Sequence, residues 1–211
     1  ACRKDMEMMV GMDFALDLWN FLAGLIGFIS FGLAVYFQNK NRVLKREKES
    51  LTWSDIRIAV DDLVRELKKD NYIPDYIYSP RCPGGIIGHI ISELLGGDIP
   101  VFVGDTVSNK STNITEWDFY EYIETSKWHI GIPKLLISAR GKKILIVDDF
   151  TMSGDAIREI STIIRNGNKI SDIRSYTVMV TDMAVQGNKA PYYYWKTVES
   201  TRFYFPWGVA K

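Results

Sequence analysis

The stretch Ile144–Ala156, ILIVDDFTMSGDA, constrains the fold of this chain more than any other. Four consecutive apolar residues, three of them β-branched, describe a strand buried on both faces, as in a mainly parallel sheet. Asp148 and Asp149 end that strand, and the polar turn Thr151–Gly154 leads into a helix starting near Asp155. A helix start offers unpaired backbone N–H groups and the positive end of a dipole, and a glycine lets phosphate oxygens approach, so the turn suits a phosphorylated sugar. The two acids repel an anion. They suit ribose hydroxyls instead, reached directly or through a hydrated divalent cation.

A strand ending in Asp-Asp also occurs in other doubly wound folds, so the rest of the chain has to decide. Ile56, Ala59, Val60, Leu63, Val64 and Leu67 recur at helical spacing after the N-cap candidate Thr52, which predicts a helix from Trp53 to about Asp70. A strand at Asp75–Tyr78, the loop SPRCPGG, a helix over Ile86–Leu95 and a strand in IPVFVG follow. Residues Asp105–Pro133 read as one long functional loop with a short helical pattern inside it. KLLIS reads as a strand, ARGKK as a turn, and a helix from Asp155 to Asn166 precedes a strand near Ser175–Thr181. Such alternation predicts an α/β fold, a mainly parallel sheet flanked by helices, with ligands at the carboxyl ends of the strands.

At this point ILIVDDFTMSGDA resembles the phosphoribosyl pyrophosphate signature of the type I phosphoribosyltransferases. Gly84 and Gly85 match the glycine pair of that family's pyrophosphate loop. TWSDIRIAVDDLVRELKK with YIPDYIY, and the ending APYYYWKTVESTRFYFPW, are similar to the hood and C-terminal segments of its purine-type, archaeal-like branch. The resemblance covers Leu51–Trp207 and implies a phosphoribosyltransferase fold with a small hood. It also implies displacement of pyrophosphate from phosphoribosyl pyrophosphate by a small nitrogenous acceptor, with Mg²⁺ on the pyrophosphate. On that reading Asp148 and Asp149 are catalytic, bind ribose and help hold the metal. The segment Thr151, Met152, Ser153, Gly154, Asp155 and Ala156 cradles the 5-phosphate, and Arg81, Cys82, Pro83, Gly84 and Gly85 hold pyrophosphate. Trp207, Phe205 and Thr181 face the nucleobase, and the loop after Asp105, with Lys110 as a cation, closes over the site.

Several positions depart from the branch. Met152 stands where an acid usually manages a proton on the base, and it cannot titrate. Thr181, followed by Asp182, replaces the lysine that reads a 6-oxo group, which puts 6-oxopurine recognition in doubt. Pro83 replaces a basic residue before the glycine pair, and a cis Cys82–Pro83 bond would preset that loop. Ala156 replaces a hydroxyl residue, and FPW continues to Gly208 rather than an acid. Cys82 lacks an accompanying histidine pattern and reads as a loop residue, His89 as structural, and Tyr192–Trp195 as packing.

The N-terminal part adds a different element. Leu18–Phe37 is twenty residues without a charge, enough to cross the roughly 30 Å hydrocarbon core as one helix. It is too long for a signal peptide core and lacks the polar stripe of a buried helix. Lys40, Arg42, Lys45, Arg46 and Lys48 follow it, which by the positive-inside rule puts the main domain in the cytoplasm. The expected organisation is a leader over 1–17, a single-pass span over 18–37 in contact with membrane lipid, a basic linker over 38–50 and the phosphoribosyltransferase domain over 51–211. Cys2 and Cys82 then fall on opposite sides of the membrane and form no disulfide framework. With 26 basic and 26 acidic residues, the composition carries no nucleic-acid signature.

Three functions fit these expectations: an anchored transferase acting on a nucleobase or related compound, a sensor of phosphoribosyl pyrophosphate or a nucleotide, and a bacterial defence effector acting on a nucleotide metabolite. The family commonly dimerises, which extends to this domain the expectation of a homodimer or another protein partner.

Overall fold

The computed structural model describes residues 24, 27, 30–41, 50–109, 117–167, 172–199 and 203–209. The chain divides into two compact units, Ala1–Lys48 and Glu49–Lys211. In the first, residues 30–41 are helical and exposed. Most of the apolar stretch 18–37 lies outside the described residues, and among those described no helix is long and apolar enough to cross a membrane.

The second unit begins with helix α1, Trp53–Lys69, where the periodicity places it. Its start is a capping box: the Asp55 amide donates to Thr52 Oγ1 at 3.2 Å and the Thr52 amide donates back to Asp55 Oδ2 at 2.8 Å. Strands β1 (Tyr76–Ser79), β2 (Val101–Val103), β6 (Lys143–Thr151), β7 (Asp172–Thr181) and β8 (Tyr193–Val198) form one parallel sheet in the order β2-β1-β6-β7-β8. The nearly continuous apolar run puts β6 at the centre, and alternate residues serve opposite layers. Leu145 and Val147 join Ile77 and Tyr176 beneath α1 and helix α2, Cys82–Leu94. Ile144 and Ile146 join Ile160 and Ile164 of helix α4, Asp155–Gly167, on the other side.

That second layer also holds a small antiparallel sheet, β3 (Asp105–Ser108), β5 (Trp128–Pro133) and β4 (Tyr120–Glu124), in the order β3-β5-β4. The expectation of a long loop over Asp105–Pro133 is corrected accordingly. Its alternating aromatic and polar residues pair across strands, and the buried Tyr78 hydroxyl ties the small sheet to β1 by donating to the Gly131 carbonyl at 3.0 Å. Lys110 lies outside the described residues.

KLLIS is helix α3, Lys134–Ser138, rather than a strand. Five apolar-rich residues fit either element, and here the preceding β5 ends at Pro133, which N-caps the turn. Helix α2 starts at Cys82 and absorbs the glycine pair that the sequence assigns to a loop; Pro83 falls in its first turn, where a missing N–H is harmless. No cis peptide bond occurs among the described residues, so Cys82–Pro83 is trans.

After the short helix α5 (Asp182–Gln186) and β8, the chain ends in a two-stranded hairpin, β9 (Tyr204–Phe205) with β10 (Gly208–Val209). Its turn carries Trp207. The Leu51 amide donates to the Tyr204 carbonyl at 2.8 Å, which fastens this hairpin beside the start of α1.

Candidate functional site

The carboxyl end of β6 delivers Asp148 and Asp149 into a buried setting, 6% and 7% exposed. Asp148 Oδ1 accepts the Asp149 amide at 3.0 Å, and Asp149 Oδ2 accepts the indole Nε1–H of Trp207 at 2.9 Å. Burial, then the neighbouring Asp149 charge, pushes the Asp148 carboxyl well above the usual carboxylate range. Burial also raises Asp149, opposed by the Trp207 hydrogen bond and by the Arg81 charge. Two adjacent carboxylates fit Mg²⁺, which takes one or two carboxylates together with phosphate oxygens and water. Among the described residues no group of three or more His, Cys, Asp or Glu side chains gathers to hold a metal unaided.

Directly after the acids, the turn Met152–Gly154 enters α4 and forms the floor of a cavity of about 110 Å³. Arg81, Trp128, Asp148, Thr151, Ser153 and Ala156 are among its walls. Gly154 has φ +74°, and a Cβ there would overlap the Lys189 carbonyl, so the tight turn requires glycine. The side chain of Asp155, the first residue of α4, is held in two ion pairs. Its carboxylate receives Lys127 Nζ at 2.7 Å and Lys189 Nζ at 2.8 Å, which hold it well below the usual carboxylate range.

On the other flank, Arg81 N-caps α2, Cys82 is exposed, and Gly84 and Gly85 are buried in the helix's first turn. A Cβ on Gly84 would overlap Ser79 Oγ and the Val147 carbonyl, so the glycine lets α2 begin against the end of β6. Arg81, Cys82 and Pro83 line a groove of about 570 Å³ with Asp105, Trp117, Phe119 and Tyr120. Arg81 therefore borders both cavities, and the acid pair, the Met152–Gly154 turn and the start of α2 come together.

The three residues assigned to a nucleobase separate. Trp207 reaches Asp149, but one face of its ring stacks on Phe205, with centroids 5.2 Å apart and planes at 10°, and it meets Trp53 edge-on at 5.6 Å. Phe205 is 5% exposed and belongs to the core. Thr181 is buried too: its hydroxyl donates to the Met152 carbonyl and accepts the Ala184 amide at 3.2 Å, so it braces the turn and caps α5. Met152 itself is 47% exposed. Tyr193–Trp195 lie in β8 and Tyr192 just before it, where Arg174 stacks on Tyr72 and Tyr192 and pairs with Asp70 at 2.7 Å.

Sequence reasoning missed Trp128, Lys127 and Lys189. They reach the turn from the small sheet and from the segment after α5, and only the fold brings those segments together.

A five-stranded parallel sheet with two acids at the end of its central strand and a glycine turn entering a helix defines an α/β domain of the sugar-phosphate-handling kind. The chain belongs to the phosphoribosyl transferase domain family, whose model matches residues 49–210; this is a glycosyltransferase family of the pentosyl type. Among solved structures it is similar to a purine phosphoribosyltransferase from Pyrococcus horikoshii, at 23% identity over 75% of this chain and 92% of that one, with a TM-score of 0.55. A xanthine-guanine-hypoxanthine phosphoribosyltransferase from Helicobacter pylori shares 13% identity over 76% and 92%, at 0.54. A Neisseria gonorrhoeae protein solved with bound ppGpp shares 18% over 75% and 89%, at 0.57. At these identities the likeness is one of fold. No curated protein matched the sequence.

Proposed function

We propose that the domain binds phosphoribosyl pyrophosphate with Mg²⁺ and transfers the phosphoribosyl group to a nitrogen of a nucleobase or related small acceptor, releasing pyrophosphate. The observation that carries this reading is the buried Asp148–Asp149 pair, of which Asp148 lines one cavity with the Met152–Gly154 turn at the start of α4. Asp148 and Asp149 receive the ribose hydroxyls and share in holding the metal. Mg²⁺, arriving with the pyrophosphate, offsets its negative charge. The N–H groups at the start of α4, with Thr151 and Ser153, take the 5-phosphate, while Arg81 and the first turn of α2 take the pyrophosphate.

For the acceptor, the contacts are Trp207, which is bonded to Asp149, and the exposed Met152 side chain, which lines the same cavity as Asp148. Phe205 backs the Trp207 ring and Thr181 fixes the Met152 backbone, so both act from behind. Neither Met152 nor Thr181 titrates, and this weighs against an acceptor that needs a protein acid or base at its ring.

The test is turnover of phosphoribosyl pyrophosphate by the full chain with a panel of nucleobases, following pyrophosphate release. Release that depends on an acceptor and vanishes in Asp149→Asn supports the transferase. Binding without turnover in the presence of any acceptor would favour a sensing role.

The uncharged run 18–37 and the basic residues after it support a second part of the proposal, a single-pass anchor with the domain on the cytoplasmic side. Recovery of the full chain in the soluble fraction after carbonate-free lysis would refute it.

A further inference from the structure

Two buried polar groups on residues that line the cradle have no hydrogen-bond partner among the described residues: the hydroxyl of Thr151, 3% exposed, and the indole Nε1–H of Trp128. Unpaired buried polar groups are uncommon because their lost hydration is not replaced, so each one calls for a physical explanation. Both residues line the same cavity of about 110 Å³, together with Arg81, Ser153 and the first turn of α4. Thr151 belongs to the signature stretch. Trp128 comes from the small antiparallel sheet and lies outside it.

Its position is fixed by several independent bonds. The Trp128 amide donates to Thr125 Oγ1 at 2.9 Å and its carbonyl accepts the Thr125 amide at 2.8 Å, closing the turn between β4 and β5. Lys127, in that turn, reaches Asp155 at the start of α4, and Lys189 binds the other carboxylate oxygen. The Trp128 ring packs against the core that Ile130, Ile146 and Ile160 share. The small sheet is thereby stapled to the first residue of α4, with the indole lining the space in front of it.

We propose that Trp128 is a phosphate-binding residue, donating its indole N–H to an oxygen of the ligand's monoester phosphate beside the Thr151 hydroxyl and the N–H groups at the start of α4. Indole only donates, and its direction here is set by packing, so it suits an acceptor-only anion. The inference rests on the phosphoribosyl pyrophosphate reading and adds to it a residue from outside the signature.

The experiment titrates the full chain and its Trp128→Phe variant with ribose 5-phosphate and, separately, with Mg²⁺-pyrophosphate. Loss of one hydrogen bond to a charged group predicts roughly ten-fold or greater weakening for ribose 5-phosphate, with pyrophosphate affinity unchanged. In turnover, KM for phosphoribosyl pyrophosphate rises while kcat holds. In the unaltered protein, the Trp128 indole proton moves downfield as ribose 5-phosphate is added. That resonance is assigned by its absence from Trp128→Phe or, if that variant folds poorly, from Trp128→Tyr. Equal ribose 5-phosphate affinity in a folded variant, an effect on pyrophosphate alone, or an indole proton unmoved at saturation overturns the role of Trp128 and leaves the wider reading standing. If the unaltered protein binds neither ribose 5-phosphate nor phosphoribosyl pyrophosphate, both fall.

Discussion

Trp207 Nε1 donates to Asp149 Oδ2 at 2.9 Å, so the C-terminal hairpin is hydrogen-bonded to the acid pair at the end of the central strand. The donor stabilises the ionised carboxylate, and the stacked Phe205 and edge-on Trp53 fix the ring that carries it. Trp207→Phe keeps an aromatic ring but leaves Asp149 short of a partner. The expected cost is about 1–3 kcal/mol of stability at neutral pH and above. It shrinks in acid, where a protonated Asp149 needs the donor less. Urea unfolding of the variant at pH 5 and pH 8 checks both statements.

The buried acid pair opposes folding when it is charged. Asp148 has its folded-state pKa raised to about 7, against roughly 3.9 in an unfolded chain. Between those values the folded state binds more protons, so this contribution to stability is fully present below the unfolded value and is lost as pH rises through the folded one. Asp148→Asn removes that part of the pH dependence and is expected to raise stability by about 1–3 kcal/mol at pH 8, while abolishing binding of phosphoribosyl pyrophosphate. Denaturant melts of both proteins from pH 4.5 to 8, with calorimetry at pH 8, test the pair of outcomes. A variant that is less stable at pH 8 would contradict the assignment.

At Gly154 any side chain meets the Lys189 carbonyl and must also adopt a positive φ. Gly154→Ala is expected to cost at least about 1–3 kcal/mol and to weaken ribose 5-phosphate binding through displacement of the turn. A thermal melt and a titration of the same preparation measure both effects.

Thr52→Ala removes one arm of the capping box at α1 and is expected to cost about 1 kcal/mol. Loss of helicity beginning at Trp53, read by amide hydrogen exchange, distinguishes fraying of this end from global weakening.

Much of the main sheet is legible in the sequence because its signals are local. Helix α1 announces itself through six apolar positions and a cap, and β6 through four apolar residues running into Asp148 and Asp149. The turn at Gly154 is equally local. Where the signal depends on distant pairing, legibility fails. KLLIS is apolar enough for either element, and its helix follows from where β5 stops. The small sheet needs Asp105 opposite Gly131 and Tyr122 opposite the same residue, a pairing with no local signature. The same holds at the site. Asp149 is plain in the sequence, but its partner Trp207 lies 58 residues away, and Lys127 and Lys189 converge on Asp155 from two separate segments. Phe205 and Thr181 show the converse, since nothing in the sequence marks the first as part of the core or the second as bonded to the Met152 carbonyl.

The bond from the Leu51 amide to the Tyr204 carbonyl joins the entry of the domain to the hairpin whose turn carries Trp207. The entry of the domain and one acid of the site are therefore bonded to the same short hairpin, one through a backbone carbonyl and the other through an indole.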